Sequence, residues 1–372
     1  MPSIYFPPRV GGIESHVYFL ARELARRGHQ VEIVTTRTER QSARFETTDG
    51  IRVHRLHSFG KHPVGWVLSS LLAVPKVLAL AGGADVIHCH TFAFALSGGV
   101  ANLIKRTPLV VTVHESHFLR FAKRGWMRPF LRLPLVRAQM LLSTSKEIDG
   151  VTRELLPGAR TLPIVNGIDT EMFRAGAPGL ARRAGEFVIV CPRRLVEKNG
   201  VEFLVRALPL LEGKLDARVY IAGDGPLRSY IGGLASELGV AERVVFLGSV
   251  ENTRMPSIFS SADLVVIPSL IEATSIAALE AMACERVIAA SRVGGLPEII
   301  DDKVGILFES GSPQAAAEAI LAAAGRADRA QMGREARRRV EANWSISKMT
   351  DIHERIYMDV AGDGSGRRQR DA

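Results

Sequence analysis

Much of what would fasten a chain from outside its own core is missing here. Only three cysteines, Cys89, Cys191 and Cys284, occur in 372 residues, far apart and each in or beside an apolar run. There is no CxxC and no Cys/His pattern with ligand spacing, so neither a disulfide framework nor a structural zinc site is supported. The first residues, MPSIYFPPR, lack the basic stretch and long apolar stretch of a secretory signal. The longest apolar-rich run, 64–80, carries Pro75 and Lys76. It falls short of the uncharged length that a membrane span needs and reads as an amphipathic helix. No internal repeat is visible. These absences point to a reduced, cytoplasmic setting.

The composition is that of a globular protein, 47 % hydrophobic and 23 % charged. At this length two domains are expected. The net charge of +9 is unevenly spread. Residues 1–180 hold 23 Lys and Arg against 13 Asp and Glu, a net of +10, whereas 181–372 hold 25 against 26, a net of −1. An anionic partner of the N-terminal half is implied, with nucleic acid, an acidic membrane surface and a phosphorylated acceptor all open. No helix-turn-helix, RRM or zinc signature accompanies that charge, so charge alone supports nucleic acid.

Ten short β-rich runs alternate with helical patterns: 31–35, 51–55, 86–90, 109–114, 140–143, 187–190, 217–222, 244–247, 264–267 and 287–290. Strands apolar on both faces and separated by helices predict parallel sheets covered on both sides. Ten exceed one such sheet, so the expected fold is α/β with two doubly wound, Rossmann-like domains facing across a cleft. The turn residues from Asn166 to Gly179 place the boundary within 165–185, taken at 175, giving domains 1–175 and 176–345. The polar stretch 362–372 reads as a disordered tail. Ligands of such folds bind at the carboxyl ends of the strands.

Several segments fall at such ends. In EATSIAALEAMA, Glu272 to Ala283, a strand precedes and a helix starts near Ser275. The first amides of that helix, at Ser275, Ile276 and Ala277, suit a phosphate. Glu272 then lies in the loop and Glu280 inside the helix, where a carboxylate can accept hydrogen bonds from paired hydroxyls. A capped helix with an exposed Glu280 is the competing reading. After strand 187–190 comes CPRRLVEKNG, whose Arg194 and Lys198 can neutralise a diphosphate; an ordinary solvated basic loop looks the same. Arg9 to Glu14 holds the pair Gly11 and Gly12, which allows close backbone approach or a simple tight turn. It is not GxGxxG, so no nicotinamide fingerprint is present. His114 ends an apolar strand, where a lone histidine is often structural.

In order along the chain, "PPRVGGIE", "VVTVHE", "PIVNGIDTEMF", "RRLVEKNG", "IAGDGP", "ADLVVIPS", "EATSIAALEAMAC" and "GGLPEII" resemble the retaining glycosyltransferases of family 4, which have the GT-B fold. The resemblance implies that Glu272 contacts the transferred sugar and Glu280 the nucleotide ribose. It implies that amides around Thr274, Ser275 and Ile276 hold the distal phosphate, with Arg194 and Lys198 as the diphosphate pair. His114 would stand near the reacting sugar and act in catalysis with Glu272. Gly11 and Gly12 would form the closing loop, and Val250 would line the base. A C-terminal helix, 346–361, would cross back to the N-terminal domain. Sugar transfer would proceed with retention, by front-face attack on a UDP- or GDP-sugar that is a co-substrate, so no cofactor is expected. No Asp-x-Asp motif appears, and Arg194, Lys198 and the helix start could supply the charge a metal otherwise brings, so no metal is expected.

Three departures stand out. Ala273, Thr274 and Ser275 replace the family's usual glycine-rich stretch, Arg194 and Lys198 are one residue closer than the commoner form, and the first strand, 4–6, is short. The acceptor is read only from residues 120–137, which hold six basic residues, two large aromatics after Arg124 and no acid. Such a segment suits an anionic membrane surface, which would make the protein peripheral on the cytoplasmic face and the acceptor a lipid-linked sugar, a phospholipid or a glycan precursor. An ordinary surface helix is the alternative there. A GT-B epimerase or phosphorylase shares the phosphate sites, and a basic nucleic-acid-binding protein is the alternative from another class. With the motifs above, no nucleic acid is expected.

Overall fold

The structure is a computed structural model that describes residues 1–8, 12–37, 43–60, 62–114, 116–164, 167–272 and 275–368. Gly11 and Thr274, singled out above, lie outside the described residues. The chain divides into two compact units, 1–167 with 346–372, and 168–345. The switch falls at 167–168, inside the 165–185 stretch though ahead of residue 175; Ile168 already bridges to Ser345 in the second unit.

Unit 1 runs α1 (Gly12–Arg26), β1 (Val31–Thr36), β2 (Phe45–Thr48), β3 (Ile51–Leu56), α2 (Pro63–Ala81), β4 (Ile87–His90), α3 (Ala95–Lys105), β5 (Leu109–Val113), α4 (Ser116–Ala122), α5 (Arg128–Leu135), β6 (Met140–Ser143), α6 (Lys146–Leu155) and β7 (Thr161–Pro163). Its strands form two sheets, β1-β3-β2 and the parallel β4-β5-β6-β7. Residues 4–6 do not form the expected first strand. Instead Pro2 bridges to Val34 of β1 and Ser3 to His90 of β4, so a two-residue segment joins the sheets. Proline at 7 and 8 removes the amides that would extend it.

Unit 2 runs β8 (Phe187–Cys191), α7 (Val201–Ala207), β9 (Ala217–Ala222), α8 (Arg228–Glu237), β10 (Val244–Gly248), α9 (Met255–Ser261), β11 (Leu264–Ile267), α10 (Ile276–Ala283), β12 (Ile288–Ser291), α11 (Leu296–Ile299), β13 (Gly305–Phe308), α12 (Pro313–Gly325) and α13 (Arg329–Asn343). All six strands are parallel, in the order β10-β9-β8-β11-β12-β13. This is the doubly wound order 3-2-1-4-5-6, with its switch point between the first and fourth strands, here β8 and β11. Phe187, Ile189 and Cys191 of β8 and Leu264 and Val266 of β11 are buried in one core with α7 and α12 residues. Strands β2, β7 and β13 are additional to the ten expected. The first two are short or half-exposed, without a continuous apolar run to signal them.

Helix α14 (Ile346–Arg368) returns to unit 1 and buries Met349, Ile356 and Val360 with Val17, Leu20 and Leu24 of α1. It continues past Gly362, where composition suggested a disordered tail, because the helical ladder tolerates single glycines at about 1 kcal/mol each. Its clasp is ionic as well as apolar. Arg27 Nη1 donates to Asp351 (2.8 Å) and Glu354 (2.6 Å), and its Nη2 donates to Ser347 Oγ (2.9 Å). These carboxylates, with Glu23, raise the Arg27 pKa against the opposing effect of burial. Arg27→Ala is expected to destabilise unit 1 by about 2–3 kcal/mol, since half-buried carboxylates lose charge-assisted bonds. Urea unfolding, and faster amide exchange across 346–360, would read this.

Candidate functional site

The sequence-derived residues fall into two groups, one in each unit. In unit 2 the loops after β8 and β11 meet at the switch point. The Lys198 carbonyl accepts the N–H groups of Leu270 (2.8 Å) and Ile271 (3.2 Å), which fixes the loop carrying Arg194 and Lys198 against the loop carrying Glu272. Asn199 Nδ2 donates to the Arg194 carbonyl at 2.8 Å and stiffens the first loop. Two further turns close on them. Gly294 has φ +53°, and a Cβ there would collide with the Glu272 carbonyl oxygen; at Gly223 a Cβ would collide with that of Arg193. Only glycine permits both approaches.

At the centre sits a residue that sequence reasoning passed over. Arg193 Nη2 lies 2.6 Å from Glu272 Oε2 and donates to Ser275 Oγ at 2.8 Å. Both partners of the ion pair are largely withdrawn from solvent, with 11 % and 15 % of their side chains exposed. Arg194, by contrast, is exposed. In a doubled arginine the sequence alone does not say which one turns inward. Burial lowers the Lys198 pKa, and the Glu272 charge opposes that shift, so the ammonium, the two guanidiniums and the carboxylate share one neighbourhood.

Ser275 is the N-cap of α10, its Oγ accepting the Ala278 N–H at 3.2 Å. The cap satisfies the third amide of the helix and leaves those of Ile276 and Ala277 at its open end. Glu280 is buried rather than exposed on a polar face. Burial pushes its carboxyl up to about 7, with nearby Arg193 opposing the shift. A carboxyl poised there can hold or release a proton near neutrality. Val250 follows the carboxyl end of β10, on the same edge of the sheet as the loops after β8, β9 and β11. This arrangement of cations, open amides and carboxylates can bind a diphosphate flanked by hydroxyl-bearing rings.

In unit 1, His114 follows β5, and Gly12 begins α1. The helix that Gly12 starts carries His16, whose ring centroid lies 4.6 Å from that of His114. His114 Nε2 is 3.2 Å from His90 Nδ1. His90 stacks 4.0 Å from His88, and His88 meets Thr112 Oγ1 (2.7 Å) and the Tyr357 hydroxyl of α14 (2.6 Å). His353 of α14 is also buried in this group. Burial holds His114 down to about 3 and His353 to about 4, and drives His88 and His90 well below the ordinary histidine range. The imidazole of His114 is therefore neutral at physiological pH and can exchange hydrogen bonds without carrying charge. The His-x-His of 88–90, at a strand end, was the available signal for this cluster. His16, His90 and His114 bring ligand nitrogens within 4.8 Å of one another. The bond between His90 and His114 already engages one nitrogen of each.

The N- and C-terminal halves match two family models, "Glycosyltransferase Family 4" over residues 10–172 and "Glycosyl transferases group 1" over 177–339. The chain is 31 % identical over 319 residues to an uncharacterised glycosyltransferase of Methanocaldococcus jannaschii, covering 80 % of this chain and 81 % of that one. The chain belongs to the family 4 glycosyltransferases. It is also similar to a phosphatidylinositol N-acetylglucosaminyltransferase component of Arabidopsis thaliana (30 %, 83 % and 70 % covered). A third relative is the GDP-mannose-dependent α-(1-6)-phosphatidylinositol monomannoside mannosyltransferase of Mycolicibacterium smegmatis (29 %, 82 % and 83 % covered). Among solved structures, sucrose-phosphate synthase from Thermosynechococcus elongatus superposes with a TM-score of 0.86 at 22 % identity, covering 97 % and 99 %. HepE of Anabaena, solved with UDP and glucose, gives 0.76 at 20 %, covering 95 % and 98 %. The fold is GT-B.

The buried histidines of this glycosyltransferase set its acid stability. Unfolded, each titrates near 6.5; folded, His88, His90, His114 and His353 resist protonation. Below pH 6.5 the unfolded state therefore binds more protons, and stability falls as pH falls. Urea midpoints followed through tryptophan fluorescence are expected to drop between pH 6.5 and 5 with a slope above one proton, or about 1.4 kcal/mol per pH unit. A flat profile over that range would contradict the neutral cluster.

Proposed function

We propose that this glycosyltransferase moves a sugar from a UDP- or GDP-sugar to a hydroxyl of a lipid acceptor at the cytoplasmic membrane face, with retention of configuration and without a metal or other cofactor. The observation that carries the donor side is the switch-point cluster of unit 2, where Arg193, Glu272 and Ser275 meet beside Lys198 and the open end of α10. Unit 2 is then the nucleotide-sugar domain and unit 1 the acceptor domain.

In this reading Arg194, Lys198 and the amides of Ile276 and Ala277 bind the diphosphate. They stabilise the charge that develops as the bond from the anomeric carbon to phosphate breaks. Glu280 accepts the ribose hydroxyls, and Val250 lines the base. Glu272 accepts hydroxyls of the transferred sugar, and Arg193 holds that carboxylate in place. On the unit 1 side, the neutral His114 can hydrogen-bond a sugar hydroxyl. The acceptor oxygen attacks the face the diphosphate leaves, and its proton passes to a diphosphate oxygen, so no separate protein base is required. Cations already present supply what a metal would bring.

Two relatives are named for phosphatidylinositol, which supports a lipid acceptor. The basic segment 120–137 supports a peripheral site on an anionic membrane and gives no reason to expect nucleic acid. The test is ¹H NMR of the anomeric proton after incubation with UDP-glucose or GDP-mannose and phosphatidylinositol vesicles in EDTA. An α-linked product that Glu272→Gln abolishes is expected. A β-linked product, or activity that returns only with added divalent metal, would overturn retention or metal independence respectively.

A further inference from the structure

Helix α2 turns an apolar stripe outward. Its exposed large apolar residues are Val64, Val67, Leu68, Leu71 and Leu72, between 41 % and 65 % accessible, at the i, i+3, i+4, i+7, i+8 spacing of one helical stripe. Its buried positions include Gly65, Ser69, Ser70 and Ala73. The 19-residue helix is long and apolar enough to cross a membrane, contrary to the reading of 64–80 as too short and amphipathic. Its inner face, however, is tied into unit 1. Trp66 Nε1 donates to the Tyr5 hydroxyl (3.1 Å), Ser69 Oγ accepts the Phe59 N–H (3.3 Å), and Ser70 Oγ accepts the Ser97 N–H (3.2 Å). A helix held along one side and apolar along the other is built to lie on a bilayer, not to cross it.

The surroundings name the surface it lies on. Helix α2 packs on α3, and α3 on α5. Beyond α3 the exposed apolar residues resume at Trp126, Phe130, Leu133 and Val136. Between and around them the exposed Lys123, Arg124, Arg128 and Arg132 stand out. The sequence from 57 to 146 holds eleven Lys and Arg against two acids, Asp85 and Glu115. That surplus of nine equals the net charge of the whole chain, +9. Aromatic and aliphatic side chains interleaved with cations match the headgroup region of an anionic leaflet. A second copy of this face would bring the same surplus against itself, which disfavours self-association.

We infer that α2 and α5 form one membrane-docking face, with the Val64–Leu72 stripe inserted among the acyl chains and the 123–132 cations on anionic headgroups. This goes beyond the acceptor reading by assigning the inserted element, and it does not depend on donor chemistry. The experiment is flotation of the full chain with vesicles of phosphatidylcholine alone or mixed with phosphatidylglycerol, with no nucleotide present. Binding to the mixed vesicles only, weakened by salt, is expected, with Trp126 fluorescence quenched by brominated lipid. Leu68→Glu with Leu71→Glu should weaken partitioning about tenfold or more, because two apolar side chains lose their burial. Circular dichroism and calorimetric nucleotide titration check the variant's fold. Unchanged binding by that variant, or no quenching of Trp126 in bound wild-type protein, overturns the proposal. So does a wild-type dimer in sedimentation velocity that the Glu pair dissolves, which would assign the stripe to a second copy. Vesicle binding without nucleotide binding would sink the donor reading and leave this one standing.

Discussion

The ion pair between Arg193 and Glu272 is the contact on which the candidate donor site depends. A carboxylate withdrawn from water costs several kcal/mol unless it is paired and hydrogen-bonded. Here the pairing also links the loop after β8 to the loop after β11, and through Ser275 to the cap of α10. The parallel order of the sheet makes this possible, since β8 and β11 are the neighbours between which the chain reverses direction across the sheet. The site is thus a consequence of topology first and of side-chain chemistry second.

Around that pair the backbone leaves little freedom. Lys198 accepts two amides from the opposite loop, and Gly294 lets a third loop lie against Glu272. Burial of Glu280 one and a half turns into α10 then produces a carboxyl whose charge is balanced near neutral pH, while Lys198 is pulled toward neutrality from the other side. Unit 1 is organised differently. Its polar centre is a cluster of buried imidazoles from α1, β4, the end of β5 and α14, of which burial keeps His88, His90, His114 and His353 neutral. The candidate site of unit 2 gathers charged side chains, whereas the histidine cluster of unit 1 is kept uncharged by burial.

Much of this was legible in the sequence. Parallel strands buried on both faces leave continuous apolar runs, and their carboxyl-end loops carry the glycines and charged residues that mark a site. What was not legible has physical reasons. Arg193 and Arg194 are indistinguishable as letters, and only the folded loop shows that Arg193 turns inward to Glu272 while Arg194 is exposed. Strand β2 shows no buried positions, so it leaves no apolar signature. Helix α2 misled because apolar residues ordinarily face inward, whereas here Gly65, Ser69 and Ser70 share the inside with Trp66, Ala73 and Val77 while five large aliphatic residues face out. Family membership came from joint motif order; the donor base, the sugar and the acceptor leave little side-chain record.

Glu280 is the group proposed to read the nucleotide ribose beside the Arg193–Glu272 cluster. Calorimetric titration of UDP and of GDP into the wild type and Glu280→Ala, in EDTA, addresses it. Saturable binding of one nucleotide is expected, weakened in the variant by about 1.5–3 kcal/mol, or roughly ten- to over a hundredfold. Equal affinity in both proteins, or no binding of either nucleotide to the wild type, would contradict the assignment of the donor site to unit 2.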